Sequence, residues 1–118
     1  MRVLIADDQA EVRSALKVLL EQENELYVLD EAEEINSLLL KVQNSCPDLV
    51  LLDWELSHQS MVNTVPILKK LVPTLRIIAL SVRPEAAKAA MEAGVDAFVS
   101  KGENSDRLLD TINEMKGC

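Results

Sequence analysis

Residues 48–53 read DLVLLD, four apolar residues bracketed by acids. A short continuous apolar run of this kind reads as a strand covered on both faces, as in a parallel sheet layered between helices. Three further runs share the character: VLIA at 3–6, LRIIALS at 75–81 and DAFVSK at 96–101. LYVL at 26–29 supplies a fifth.

Between these runs apolar residues return at helical spacing. Val12, Ala15, Leu16, Leu19 and Leu20 mark a first helix, with Glu11, Arg13, Lys17 and Glu21 between them as its polar positions. Ile35, Leu38, Leu39 and Val42 mark a second, stopped by Pro47, which biases Cys46 away from helical angles. Val65, Leu68, Leu71 and Val72 mark a third, ending near Pro73. The alanine-rich stretch 84–93 is a fourth, with Pro84 in its first turn and Gly94 as its C-terminal cap. Leu108, Leu109, Ile112 and Met115 mark a fifth, N-capped by Ser105 or Asn104. Strict alternation predicts an α/β fold with a doubly wound parallel sheet.

The bulk numbers agree. A chain of 118 residues suffices for one core, and 48% hydrophobic content argues against disorder. A net charge of −8 argues against direct nucleic-acid binding and against an anionic membrane surface. No apolar run is long enough to span a bilayer. The chain opens directly on a strand, without a signal-peptide pattern. Cys46 and Cys118 lack metal-ligand spacing and read as free thiols, so a cytoplasmic protein is expected. His58, the lone histidine, reads as a surface residue, and Trp54 as packing.

In open α/β sheets ligands bind beyond the carboxyl ends of the strands. There the first strand ends in Asp7 and Asp8, the third in Asp53, the fourth in Ser81 and the fifth in Lys101. The second ends at Leu29-Asp30 with no matching group, as expected of an edge strand, and the acids at 31, 33 and 34 read as a solvated face and a helix start. Adjacent carboxylates repel, and a cation would offset this. Carboxylate oxygens suit Mg²⁺. A carboxylate can also accept a phosphoryl group as an acyl phosphate, whose charge a lysine and a metal ion neutralise. Each acid alone could be a helix cap or turn residue; the combination is the informative feature.

With VLIADDQ (3–9), DLVLLD (48–53), ALS (79–81) and FVSK (98–101), the chain resembles the receiver domain of two-component response regulators along essentially its whole length. The resemblance implies a flavodoxin-like receiver fold of strand order 2-1-3-4-5, over a domain spanning 1–118, and allows this to be the N-terminal part of a longer chain. It implies Asp53 as phosphoacceptor, with Mg²⁺ or Mn²⁺ held by Asp8, Asp53, Asp7 and the backbone carbonyl of Glu55. Lys101 would pair with the phosphate, Ser81 supply the switch hydroxyl and Phe98 the switch aromatic. The implied partner is a sensor histidine kinase or phosphotransfer protein. Further partners it allows are a helix-turn-helix DNA-binding output domain beyond this chain and a second copy in a homodimer. Its surface of helix four, strand five and helix five would carry the signal, and its only catalysis would be its own phosphorylation and dephosphorylation.

Two features depart from that family. The loop WELSHQSMVNT after Asp53 lacks the usual Pro and Gly, and Gly102 follows Lys101 in place of proline. A junction of that kind looks like the receivers of the NarL/LuxR-type subclass. The alternatives are a receiver-like interaction module that works without phosphorylation and an aspartate-nucleophile phosphatase. The phosphatase would want two acids after one strand in a DxD arrangement. A nucleotide or flavin binder lacks its phosphate cradle, since no G-x-G-x-x-G or Walker motif follows any strand.

Overall fold

The computed structural model describes residues 1–102 and 104–116. Five parallel strands, β1 (Arg2–Ala6), β2 (Tyr27–Ala32), β3 (Leu49–Asp53), β4 (Arg76–Ser81) and β5 (Ala97–Ser100), lie in the order 2-1-3-4-5. Five helices connect and follow them: α1 (Ala10–Glu21), α2 (Ile35–Ser45), α3 (Thr64–Leu71), α4 (Ala87–Ala93) and α5 (Ser105–Lys116). The expected doubly wound sheet is present, with β2 and β5 at its edges.

Side chains alternate across each strand, and this builds two cores. Leu4, Val50, Leu52, Ile77 and Ala79 pack with Leu38, Val42, Val65, Leu68 and Ala90 of α2, α3 and α4. Val3, Ile5, Leu49, Leu51, Ile78 and Val99 pack with Leu20 of α1 and with Leu108, Ile112 and Met115 of α5. All five residues of β3 are buried, which is why its sequence is apolar without a break.

The ends of the helices follow local chemistry. Cys46 caps α2 in the left-handed conformation (φ 46°), and Pro47 follows it. Gly94 caps α4 at φ 110°, a region that side-chain-bearing residues avoid. The Asn104 side chain accepts a hydrogen bond from the Asp106 amide at 3.0 Å, so Asn104 and not Ser105 caps α5. Pro66 stands third in α3, where a missing N–H costs no helical bond.

Three elements differ from the sequence reading. The alanine-rich helix begins as a 3₁₀ turn at Pro84–Ala86 before α4 proper. The loop after β3 forms another 3₁₀ turn, with Ser57 and His58 at positive φ, anchored by fully buried Leu56 and Met61. β2 runs to Ala32, not to residue 29, and a bulge opposite Val3/Leu4 inserts one residue in it. The bulge reverses the alternation, so Glu31 lies beside Ile5 on the α1 face and Asp30 beside Leu4 on the α2 face. Asp30 meets Lys41 of α2, and Glu31 meets Arg13 and Lys17 of α1. Glu34 is the N-cap of α2, accepting from the Ser37 amide at 3.1 Å. Among the described residues no helix is long and apolar enough to cross a membrane, and all peptide bonds are trans.

Candidate functional site

The carboxyl ends of β1, β3, β4 and β5 form one rim, and the parallel register brings their terminal residues level. Oxygen atoms of Asp7, Asp8 and Asp53 lie within 4.8 Å of one another. Asp7 and Asp53 are buried, at 1% and 4% exposure, while Asp8 faces solvent. Lys101 Nζ donates to Asp7 Oδ2 at 2.8 Å and lies 3.3 Å from Asp53 Oδ1. The lysine is carried in by the step from β5, where its amide donates to the Ser81 carbonyl at 2.8 Å.

Every polar group of Asp7 has a partner. Its amide donates to the Ala32 carbonyl (3.0 Å), its Oδ1 accepts from the Gln9 amide (2.9 Å), and its carbonyl accepts from Arg13 Nη1 (2.6 Å). Arg13 is therefore no solvent-facing helix residue, as the sequence pattern suggested; it is 9% exposed. Its Nε donates to Glu31 Oε1 at 2.9 Å, and its Nη2 lies 3.5 Å from Glu33 Oε1. The Lys17 hydrogen bond, foremost, and then Arg13 hold the Glu31 carboxyl below its ordinary value.

Burial pushes the Asp53 carboxyl above its ordinary value, and the negative charge of Asp7 adds to the effect. The Glu55 amide, which donates to Asp53 Oδ1 at 3.1 Å, and Lys101 oppose it. Burial acts to depress the Lys101 ammonium, yet the hydrogen bond to Asp7 and the charges of Asp53 and Asp7 outweigh it and leave the group raised. The lysine is thus a firmly held cation between two buried anions.

Ser81 is fully buried, and its hydroxyl donates to the Glu55 carboxylate, at 2.8 Å to Oε1 and 3.1 Å to Oε2. The same hydroxyl accepts from the Arg83 amide at 3.0 Å, and Arg83 Nη2 lies 3.4 Å from Glu55 Oε2. The charge pairing expected from the sequence between Glu55 and Arg83 is present, and the Glu55 carboxylate is engaged by Ser81 as well. Phe98 is half-buried against the α2–α3–α4 core. Trp54 is buried, its amide donating to the Leu80 carbonyl at 2.8 Å, and His58 is exposed. Cys46 is a free, exposed thiol; Cys118 lies outside the described residues.

Three carboxylates at the mouth of a parallel sheet, two of them buried, form a hard-oxygen donor set suited to a small divalent cation. With a lysine between them, the rim also suits a transferred phosphoryl group. Such a sheet with such a rim defines a class of α/β phosphoryl-handling domains. The sequence profile of the response regulator receiver domain matches residues 3–113, and the chain belongs to that family. It is a receiver domain of two-component signalling.

Among its relatives, the sensory transduction protein LytT of Bacillus cereus is 29% identical over 98% of this chain and 47% of its own length. The chain therefore spans about half of that relative. In fold it is similar to a two-component response regulator of the LuxR family from Aurantimonas sp. SI85-9A1 (TM-score 0.89, 22% identity, 97% of this chain and 83% of that one). It is equally similar to the isolated REC domain of RcsB from Salmonella enterica serovar Typhimurium, determined with the phosphomimetic BeF₃⁻ (TM-score 0.90, 21% identity, 99% and 88%).

Proposed function

We propose that this domain takes a phosphoryl group onto Asp53 and signals through the resulting change of charge. The observation that supports the reading most is the setting of Asp53. It is a buried carboxylate at the end of the central strand, with two acids within 4.8 Å and an ammonium group at 3.3 Å. An Asp53 oxygen attacks the phosphorus of a phosphohistidine or small acyl phosphate. The O–P bond forms as the donor's N–P or O–P bond breaks, and the donor leaves as neutral imidazole or as carboxylate. Water later cleaves the acyl phosphate, returning the carboxylate and inorganic phosphate. This self-directed chemistry is the only catalysis in the reading.

Asp8 and Asp53, with Asp7 in support and the Glu55 carbonyl as a further oxygen, would hold Mg²⁺ or Mn²⁺. When bound, the ion supplies charge neutralisation for the phosphoryl oxygens. Lys101 pairs with the added phosphate, and Ser81 turns its hydroxyl from Glu55 to a phosphoryl oxygen. Phe98 then shifts into the space vacated, reshaping the surface of α4, β5 and α5. A histidine kinase or phosphotransfer protein is the proposed donor. A groove between α1 and α5, lined by Leu16, Leu19, Val99 and Leu108, reaches Lys101 and would seat it. The proposed output is a DNA-binding domain following this one, in a cytoplasmic regulator.

The test is intact-mass analysis after incubation with acetyl phosphate. One added phosphate is expected with Mg²⁺, none without it and none in Asp53→Asn. Labelling that survives Asp53→Asn would refute the assignment.

A further inference from the structure

The start of α1 presents a mechanical problem. Asp7 and Asp8 must hold fixed positions, yet Gln9, the N-cap of α1, makes no side-chain capping bond. Asp8 is exposed and lies between them. What holds this corner is the set of bonds to Asp7. Its amide closes the β1–β2 ladder, its carboxylate meets Gln9 and Lys101, and its carbonyl meets only Arg13 among the hydrogen bonds of the described residues.

Arg13 is an unusual choice for that task. It and Leu20 are the buried residues of α1. A buried guanidinium is costly unless its donors are used. Here the planar fork spreads across two elements: Nη1 to the Asp7 carbonyl at 2.6 Å, Nε to Glu31 at 2.9 Å, and Nη2 toward Glu33 at 3.5 Å. Such a fork holds its partners in a fixed plane, as lysine's single ammonium does not. The bulge in β2 turns Glu31 toward it. Lys17 also binds Glu31, at 3.1 Å, and among the described residues it makes no hydrogen bond or ion pair with Asp7.

We infer that Arg13 is the positioning residue of the acidic pair: pinned from β2 by Glu31, it holds the Asp7 carbonyl and so sets where the Asp7 and Asp8 carboxylates stand on the rim. This inference rests on the proposed cation site, and its sign separates it from simple electrostatics. Arg13 is positive and close to the acids. Through-space attraction alone predicts that removing it tightens a divalent cation. Positioning predicts the opposite, because residues that orient metal ligands typically account for 10–100-fold in affinity.

The experiment titrates Mg²⁺ against Trp54 fluorescence in the wild type and in Arg13→Gln, Arg13→Lys and Lys17→Gln, with amide hydrogen exchange of the metal-free proteins alongside. Arg13→Gln is expected to weaken Mg²⁺ by about tenfold or more and to speed exchange at Gln9, whose amide is bonded to Asp7. Arg13→Lys keeps the charge but loses the fork and falls between. Lys17→Gln removes a positive charge beside Glu31, as Arg13→Gln does, and leaves Mg²⁺ affinity unchanged or slightly higher. Unchanged or tighter Mg²⁺ binding in Arg13→Gln overturns the inference, and if that variant does not fold, Arg13→Lys carries the same criterion. A wild type that binds no Mg²⁺ refutes the cation site instead. The positioning role is then decided by exchange: faster exchange at Gln9 in the Arg13 variants but not in Lys17→Gln supports it, and equal exchange overturns it.

Discussion

Replacing Lys101 by methionine should expose how much of this fold's stability is spent on holding anions together. The ammonium lies 2.8 Å from Asp7 and 3.3 Å from Asp53, with side-chain exposures of 16%, 1% and 5%. At an effective dielectric near 20 each contact is worth roughly 5–6 kcal/mol before desolvation. Removing one member of a buried ionic cluster typically costs about 3–5 kcal/mol, since the partners stay buried and uncompensated. The open rim, with Asp8 in solvent, favours the lower end. For a domain of this size that is a fall in Tm of roughly 10–15 °C. Thermal melts at pH 7.5 without metal measure it. Two further signs should accompany the loss. The deficit shrinks as pH falls, because Asp53, whose carboxyl burial already raises, then takes up a proton and one uncompensated charge is lost. Mg²⁺ raises the variant's Tm by more than the wild type's, because a bare acidic pair binds it better and bound ligand stabilises by mass action. A Tm loss under about 3 °C, or an equal Mg²⁺ effect in both proteins, would refute the view of Lys101 as the resting counter-charge.

The remaining expectations are shorter. Burial raises the Asp53 carboxyl above its unfolded value, so its ionisation opposes folding as pH rises past the unfolded value of 3.8; Asp53→Asn should therefore raise the metal-free Tm at pH 7.5, and calorimetry showing a lower Tm would count against it. Gly94→Ala should cost about 1–2 kcal/mol, read by urea unfolding, because φ 110° strains a side-chain-bearing residue while the added Cβ would meet Val65 Cγ1 at an unobjectionable 3.8 Å. Arg83→Ala should shorten the lifetime of the phosphorylated form, since the Arg83–Glu55 pair at 3.4 Å flanks the approach to Asp53; the decay of added mass with time reports it, and an unchanged lifetime removes the gate. Glu55→Gln should lower the beryllofluoride concentration needed to shift the α4 amide resonances, because a neutral amide competes less well for the Ser81 hydroxyl.

The sheet and the rim were legible because burial on two faces leaves no room for polar residues inside a strand. DLVLLD could be little else than a central strand, and Asp7, Asp8, Asp53, Ser81 and Lys101 then had to share one edge. Two places hid from the sequence for the same reason: a charged residue can be buried when another meets it. Arg13 occupies what reads as a polar position of α1, and Glu31 reads as part of a solvated acidic face. They meet across a bulge that no periodicity announces, Arg13 buried and Glu31 half-buried. The signal that could have found them is joint, an arginine one helical turn past the acidic pair and a glutamate near the end of the neighbouring strand. The loop after Asp53 was hidden differently. Its shape depends on Leu56 and Met61 reaching the core and on positive φ at Ser57 and His58, which replace the glycine and proline that usually announce a turn.

Glu55 ties the two halves of the site into one response. Its amide donates to Asp53, so the acceptor's position and the loop's are mechanically joined. Its carboxylate holds the Ser81 hydroxyl, so the resting serine is already occupied by an anion. An added phosphoryl group carries about −1.5 to −2 charges, close to a carboxylate that is itself negative. On the proposed acceptor role of Asp53, repulsion would act on Glu55 just as a stronger acceptor for Ser81 appeared at Asp53. Lys101 cannot neutralise both changes, because one of its contacts is committed to Asp7 at 2.8 Å. The rearrangement this reading favours is an exchange of partners by the Ser81 hydroxyl, with the Glu55 carboxylate kept on Arg83, its 3.4 Å neighbour. A charge added on β3 would then be felt first at the end of β4, one strand nearer the α4–β5 surface. A negative side chain at position 55 would thus bias the resting state while coupling it to the proposed acceptor, and the balance between those two effects would set how readily the domain switches.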